Sequence, residues 1–183
     1  MNAMANLRGQ LLIAGPKLFD PNFRRTVVLI GEHNDEGAIG VVLNRSSDVA
    51  VREAAPVLAP LVGEDDAIFL GGPVQPQAAV VLAEFEEPGA AGLVAFDSIG
   101  FLLGDVPAEM APGIRRARVF AGYAGWGDGQ LEQELEEESW ILEVARPEDV
   151  FTEDPEGLWT AILRRKGPAY RLLSTMPFDP SLN

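Results

Sequence analysis

Short apolar runs rich in Val, Ile and Leu, cut by glycine, proline and acidic turns, set the rhythm of this chain. The run Arg25–His33 (RTVVLIGEH) is compact and β-branched. Ala38–Arg45 (AIGVVLNR) returns after the turn residues Asn34–Gly37, so the two predict a β-hairpin. Further strands are expected over Ala67–Val74, which closes on a Gly-Gly-Pro turn, Ala78–Phe85, Arg115–Ala124 and Ser139–Ala145. Within Arg115–Ala124, Ala117, Val119 and Ala121 alternate onto one face. Val51–Val62 reads as a helical segment interrupted by Pro56 and Pro60, with Asp48 available as its cap. Glu86–Gly92 reads as a loop, and Phe101–Gly113 carries a short helix at most.

Asp154–Gly167 is the clearest helix. Asp154 suits the N-cap and Pro155 the first turn, while Leu158, Ile162 and Leu163 make an apolar face. Arg164–Lys166 complement the C-terminal end of the dipole, and Gly167 stops the helix. Strands outnumber helices and come partly as hairpins, which predicts an α+β fold rather than a doubly wound sheet. No repeat, low-complexity segment or long linker divides residues 1–183, so one domain is expected, with residues 1–6 and 177–183 as loose tails.

Composition narrows the chemistry. The 183 residues include no cysteine, which removes disulfides, thiol nucleophiles and thiolate metal sites. The run Leu11–Ala14 is too short for a signal-peptide core, and no segment approaches the ~20 apolar residues of a membrane span; a cytoplasmic protein with no membrane contact is expected. Twenty-eight acidic against 14 basic residues give a net charge of −14. That field opposes a phosphate backbone, and the arginine clusters at 24–25, 115–118 and 164–165 are small and separated, so direct nucleic-acid binding is disfavoured.

The stretch Gly122–Trp140 (GYAGWGDGQLEQELEEESW) holds the main candidate chemistry. A strand, a glycine-rich loop and a helix from about Gln130 follow one another in the outline of a phosphate-binding loop. Neither of the standard glycine spacings is present, however, and no Lys or Arg lies between Arg118 and Arg146. Asp128, Glu132, Glu134 and Glu136–Glu138 would repel a phosphate. Glu132 with Glu136, or Gln130 with Glu134, share helix faces that would suit Mg²⁺ or Ca²⁺, but an acidic run on a short helix is ordinarily a solvated face, and no metal is assigned. With His33 the only imidazole, zinc is disfavoured. The structural reading explains more of the residues. Leu131 and Leu135 bury together with the glutamates outward, and Tyr123 and Trp126 cover a tight corner.

Elsewhere, His33 beside Glu32 could act as a general base. Asn44 and Arg45 end the partner strand, and the register decides whether they join His33 or lie apart from it. Ser46 and Ser47 lack a nucleophile elbow, and no carboxylate pair stands out as a glycosidase site. Leu18–Arg25 and Gly71–Val74 read as turns that could converge. The candidate pocket or binding residues are therefore His33, Asn44, Arg45, Tyr123, Trp126, Gln130, Glu132 and Glu134, with no catalytic residue assigned.

Three segments in this order, GQLLIAGPKLFDPNFRRTVVLIGEHNDEGAIGVVLNR, FLGGPV and RVFAGYAGWGDGQLEQELEEESW, resemble the YqgE/AlgH family of small bacterial proteins; DVFTEDPEGLWTAILRRKG fits its ending. The resemblance runs from about Leu7 to Tyr170. It implies one α+β domain with a large mixed, mainly antiparallel sheet flanked by a few helices, no established enzymatic activity and no cofactor. One branch is named for transcriptional regulation of alginate synthesis, and nothing in this chain supplies a DNA-binding motif for such a role. Ala83-Glu84 stands where relatives often carry a histidine. The expectation is a non-enzymatic binding or regulatory protein that works through protein contacts, with a surface groove or apolar patch. The alternatives are a hydrolase-like enzyme with a pocket at the Gly122–Glu134 corner and a DNA-binding regulator.

Overall fold

The sheet is built outward from the most apolar runs. A computed structural model describes residues 5–87, 91–102, 106 and 108–176. Its strands are β1 (Gln10–Ala14), β2 (Val27–Asn34), β3 (Gly37–Val42), β4 (Ser46–Ala50), β5 (Ala67–Leu70), β6 (Val74–Phe85), β7 (Leu93–Phe96), β8 (Ile99–Leu102), β9 (Ile114–Trp126) and β10 (Trp140–Val144). The order across the sheet is β10-β1-β2-β3-β9-β6-β8-β7, with β5 joining β9 and β4 joining β5. Every pairing is antiparallel except β5 with β9, where Phe69 lies opposite Phe120. The helices are α1 (Val51–Ala54), α2 (Gln130–Glu136), α3 (Pro147–Val150), α4 (Leu158–Lys166) and α5 (Pro168–Ser174). This is the expected single α+β domain with a mixed, mainly antiparallel sheet.

β1 and β2 run buried on both faces, which is why their sequences read as unbroken apolar runs rather than alternations. One face carries Leu11, Ile13, Leu29, Val41 and Phe120, and the sheet curls so that Ala95, Ile99 and Phe101 of β7 and β8 fold over it; Trp159 and Ile162 of α4 close the rest. The other face carries Leu12, Val28, Ile30 and Ala124, and is covered by Leu131 of α2 together with Trp126 and Trp140. A third cluster packs Val51, Leu58 and Leu61 against Val81, Phe85 and Val119.

A bulge at Gly31 changes the hairpin's phase. Ile30 lies opposite Gly40 but Glu32 lies opposite Ile39, so Gly31 is the extra residue on β2. Strict alternation would send Glu32 to the α2 face. Instead Glu32 shares the opposite face with Ile39, and His33, opposite Ala38, turns toward α2.

The structure corrects several readings. Val51–Val62 divides into the one-turn α1, with Ala50 and not Asp48 at the N-cap position and no side-chain cap, and a 3-10 turn over Pro56–Leu61, because each proline removes a helical donor. Asp154 accepts from Gly157 N–H at 3.1 Å, capping a turn that precedes α4, which starts at Leu158. Phe101 and Leu102 are strand, and a 3-10 turn occupies Ala108–Gly113. The proposed loop Glu86–Gly92 lies partly outside the described residues, as does the proposed tail 1–6, of which residues 1–4 are outside, while the proposed tail 177–183 lies wholly outside. Among the described residues, no helix is long and apolar enough to cross a membrane.

Candidate functional site

The α2 corner brings together five of the residues singled out in the sequence. His33 is 8% exposed. Its Nδ1 accepts from Leu7 N–H at 3.0 Å, so the proton sits on Nε2, which donates to Glu132 Oε1 at 2.6 Å. The partner carboxylate is thus Glu132 and not the neighbouring Glu32, because the Gly31 bulge turns Glu32 to the other face. The hydrogen bond from His33 is the main cause that lowers the Glu132 pKa, against burial, which raises it.

Glu134 is likewise turned inward. Its Oε2 accepts from Trp126 Nε1 at 2.9 Å and Trp140 Nε1 at 2.8 Å, and its Oε1 from Gln130 Nε2 at 3.0 Å. Gln130 Oε1 in turn accepts from Gly127 N–H at 3.0 Å. Phe23 stacks near both indoles, 6.2 Å from Trp126 and 5.7 Å from Trp140. The expectation that the helix's glutamates all point outward is therefore wrong for Glu132 and Glu134. Two buried indole donors and a buried imidazole required acceptors, and α2 presents its carboxylates to them. Leu131 is fully buried, Leu135 partly. Among the described residues there is no cluster of three or more His, Asp or Glu side chains able to hold a metal ion.

The remaining candidates lie apart. Asn44 and Arg45 sit at the opposite end of the hairpin from His33. Asn44 bridges Val27 N–H and the Arg25 carbonyl, both at 2.9 Å. Arg45 donates to Asn22 O at 2.6 Å and to Arg24 O at 3.2 Å, and burial lowers its pKa. The loop after β1 and the Gly71-Gly72-Pro73 turn do converge here, on a cleft of about 200 Å³. Gly72 has φ +152° and lies so close to Tyr123 that a Cβ would come within 2.2 Å of its backbone, which is why the turn needs glycine. Tyr123 faces away from the corner, toward the cleft that contains Glu32 and Ile39. In the arginine clusters, Arg116 pairs with Glu84 at 3.2 Å, Arg118 donates to Val150 O at 3.0 Å, and Arg165 holds Asp149 at 2.8 Å.

A groove of about 660 Å³ lies apart from all the candidate residues. It runs along β10, the edge of the sheet. Leu135, Glu138 and Trp140 form one wall, Lys166, Tyr170 and Leu173 the other, and Lys17 sits at the rim. Gly15 N–H donates to Ser139 O at 2.8 Å, which fixes the phase of the β1–β10 ladder: Ile141 and Glu143 bond to β1, while Trp140, Leu142 and Val144 direct their backbone groups outward. Val144 N–H is taken by Glu143 Oε1 at 2.8 Å and its carbonyl by Arg165 at 3.4 Å. The outward groups of Trp140 and Leu142 have no partner among the described residues.

The AlgH-like (DUF179) profile matches residues 11–171 of this sequence. The chain belongs to that family. An AlgH-like relative of Streptomyces coelicolor, a UPF0301 protein, is 43% identical over all of this chain and 98% of its own; one from Mycobacteroides abscessus is 46% identical over 96% of this chain and 87% of its own. The fold matches a crystal structure of a Corynebacterium diphtheriae protein with a TM-score of 0.84 at 31% identity, covering 96% of this chain and 95% of the other. It also matches the solution structure of the AlgH protein from Pseudomonas aeruginosa, a UPF0301 protein, with a TM-score of 0.73 at 30% identity and 97% coverage of both.

Proposed function

We propose that this protein is a non-enzymatic binding protein whose partner adds an extended segment to the edge of β10. The observation that carries the reading is the pair of unbonded, outward-facing residues Trp140 and Leu142 on an edge strand with an apolar wall on either side. Backbone pairing supplies affinity in such a mode, and the walls select alternate side chains. Lys166 is already paired with Glu143 at 3.9 Å, so the lysine that can meet an incoming charge is Lys17 at the rim, on a chain of net charge −14. The fitting segment is therefore one of another protein, apolar at alternate positions and carrying a carboxylate. A second copy of this chain is a poorer occupant, since two such charges repel.

The test is a peptide selection on the intact protein, followed by affinity measurement with the recovered peptides. Leu142→Pro deletes one outward N–H and leaves the bonds of Ile141 and Glu143 to β1 in place. It should weaken binding about tenfold, the worth of a backbone hydrogen bond at the upper end of the usual range. Lys17→Glu, at an exposed position, should weaken acidic peptides selectively. Peptides without alternation, or equal affinity for all three proteins, would refute the reading.

A further inference from the structure

A second cleft, of about 480 Å³, opens on the sheet face opposite α2 and well away from β10. Ile39, Val41, Val80, Leu93 and Phe101 line it, and the Gly31 and Gly40 backbones complete its floor. Its size falls within the range of small-molecule sites, and its interior is apolar. Ile39 remains 46% exposed there, an isoleucine left uncovered beside a buried valine. Three polar groups stand at the boundary: the Glu32 carboxylate, the Tyr123 hydroxyl and, in an adjoining shallower pocket of about 290 Å³ that shares Glu32 and Ile39, the Glu36 carboxylate. None of their side chains has a hydrogen bond or ion pair among the described residues.

The contrast with the corner is chemical. There each inward carboxylate meets a donor; here, among the described residues, the charges lining the apolar mouth are two unpaired carboxylates. An uncharged apolar ligand would leave them unused, and a carboxylic acid would be repelled by them. We infer that this cleft binds a small amphiphilic amine, its aliphatic or aromatic body against Ile39, Val80 and Phe101 and its ammonium group at Glu32. The Gly31 bulge is what assembles the site, since it alone sets a carboxylate on the same face as Ile39.

Octylamine, octanol and octanoate present one apolar chain with cationic, neutral and anionic heads, and titration of each into the intact protein tests the assignment. The amine should bind at least tenfold more tightly than the alcohol, and octanoate should show no binding that Val80→Trp removes. Along a series of linear amines, affinity should rise about fourfold per added CH₂ while the chain still fits. Glu32→Gln should erase the preference for the amine over the alcohol, and Val80→Trp should abolish binding of both by filling the cleft. If Val80→Trp fails to fold by circular dichroism, Ile39→Trp at the exposed mouth serves the same purpose. Equal affinity for amine and alcohol, or an amine preference that survives in Glu32→Gln, overturns the proposal. Glu32, Ile39 and Val80 lie outside the β10 groove, so only binding that these substitutions change is counted, and the outcome is independent of the peptide measurement.

Discussion

The α2 corner and the β10 edge lie against the same wall of the sheet and share Trp140 and Leu135, yet they spend their polar groups in opposite ways. At the corner every donor turned inward is met: two indoles by Glu134 and the imidazole by Glu132. At the edge, the backbone of Trp140 and Leu142 is left facing outward between apolar walls. The corner is chemically conspicuous and closed; the edge is chemically plain and open. Unusual side chains at the corner therefore mark the demands of a tight strand-to-helix junction, while the proposed binding rests on ordinary backbone at a place the rest of the sheet does not cover.

Substitutions should separate the two regions. Leu131→Ala, in the fully buried contact of α2, should cost about 2–5 kcal/mol of unfolding free energy, read by chemical denaturation. Glu134→Ala leaves two indole N–H groups without their charged acceptor, and should cost about 2–4 kcal/mol with a change in tryptophan fluorescence; a stability unchanged within 0.5 kcal/mol would show that the corner is not a keystone. A pH titration tests the smaller His33–Glu132 contribution. The carboxyl pKa is depressed in the folded state, so its stabilisation is complete above the unfolded value of about 4.3 and is lost as pH falls through the lower folded value. Glu132→Gln should remove that part of the acid limb in a comparison of melting temperatures from pH 6 to pH 3. Lys17→Glu should leave stability within about 0.5 kcal/mol, its effect confined to peptide binding.

What could be read without coordinates followed the periodicity of the residues. The β2–β3 hairpin, β6, β9 and α4 announce themselves by apolar run and turn chemistry, although β6 begins four residues before the expected Ala78 and α4 four residues after Asp154. Leu11–Ala14, too short for a leader, forms most of β1 between β2 and β10, and a four-residue apolar run carries no period to distinguish such uses. β4 (SSDVA) has no buried side to betray it. Leu93–Phe96 and Ile99–Leu102 are short apolar runs on either side of the turn residues Asp97-Ser98, which is a hairpin signal in the sequence itself. The candidate residues were harder. That His33 meets Glu132, 99 positions away, follows from the Gly31 bulge, and a one-residue change of phase leaves no trace in composition. The groove was invisible for another reason: its lining comes from four separate segments, none with a pattern of its own.

The open edge also bears on how the protein behaves in concentrated solution. An unprotected strand is a template for any chain that offers its own, including an identical one, and Val144 at its end is 62% exposed. At neutral pH the surplus of carboxylates acts as a colloidal guard, holding copies apart beyond the reach of backbone pairing. Near the sequence pI of about 4.4 the guard is neutralised while the edge is unaltered, so strand-to-strand association is the expected route by which copies come together.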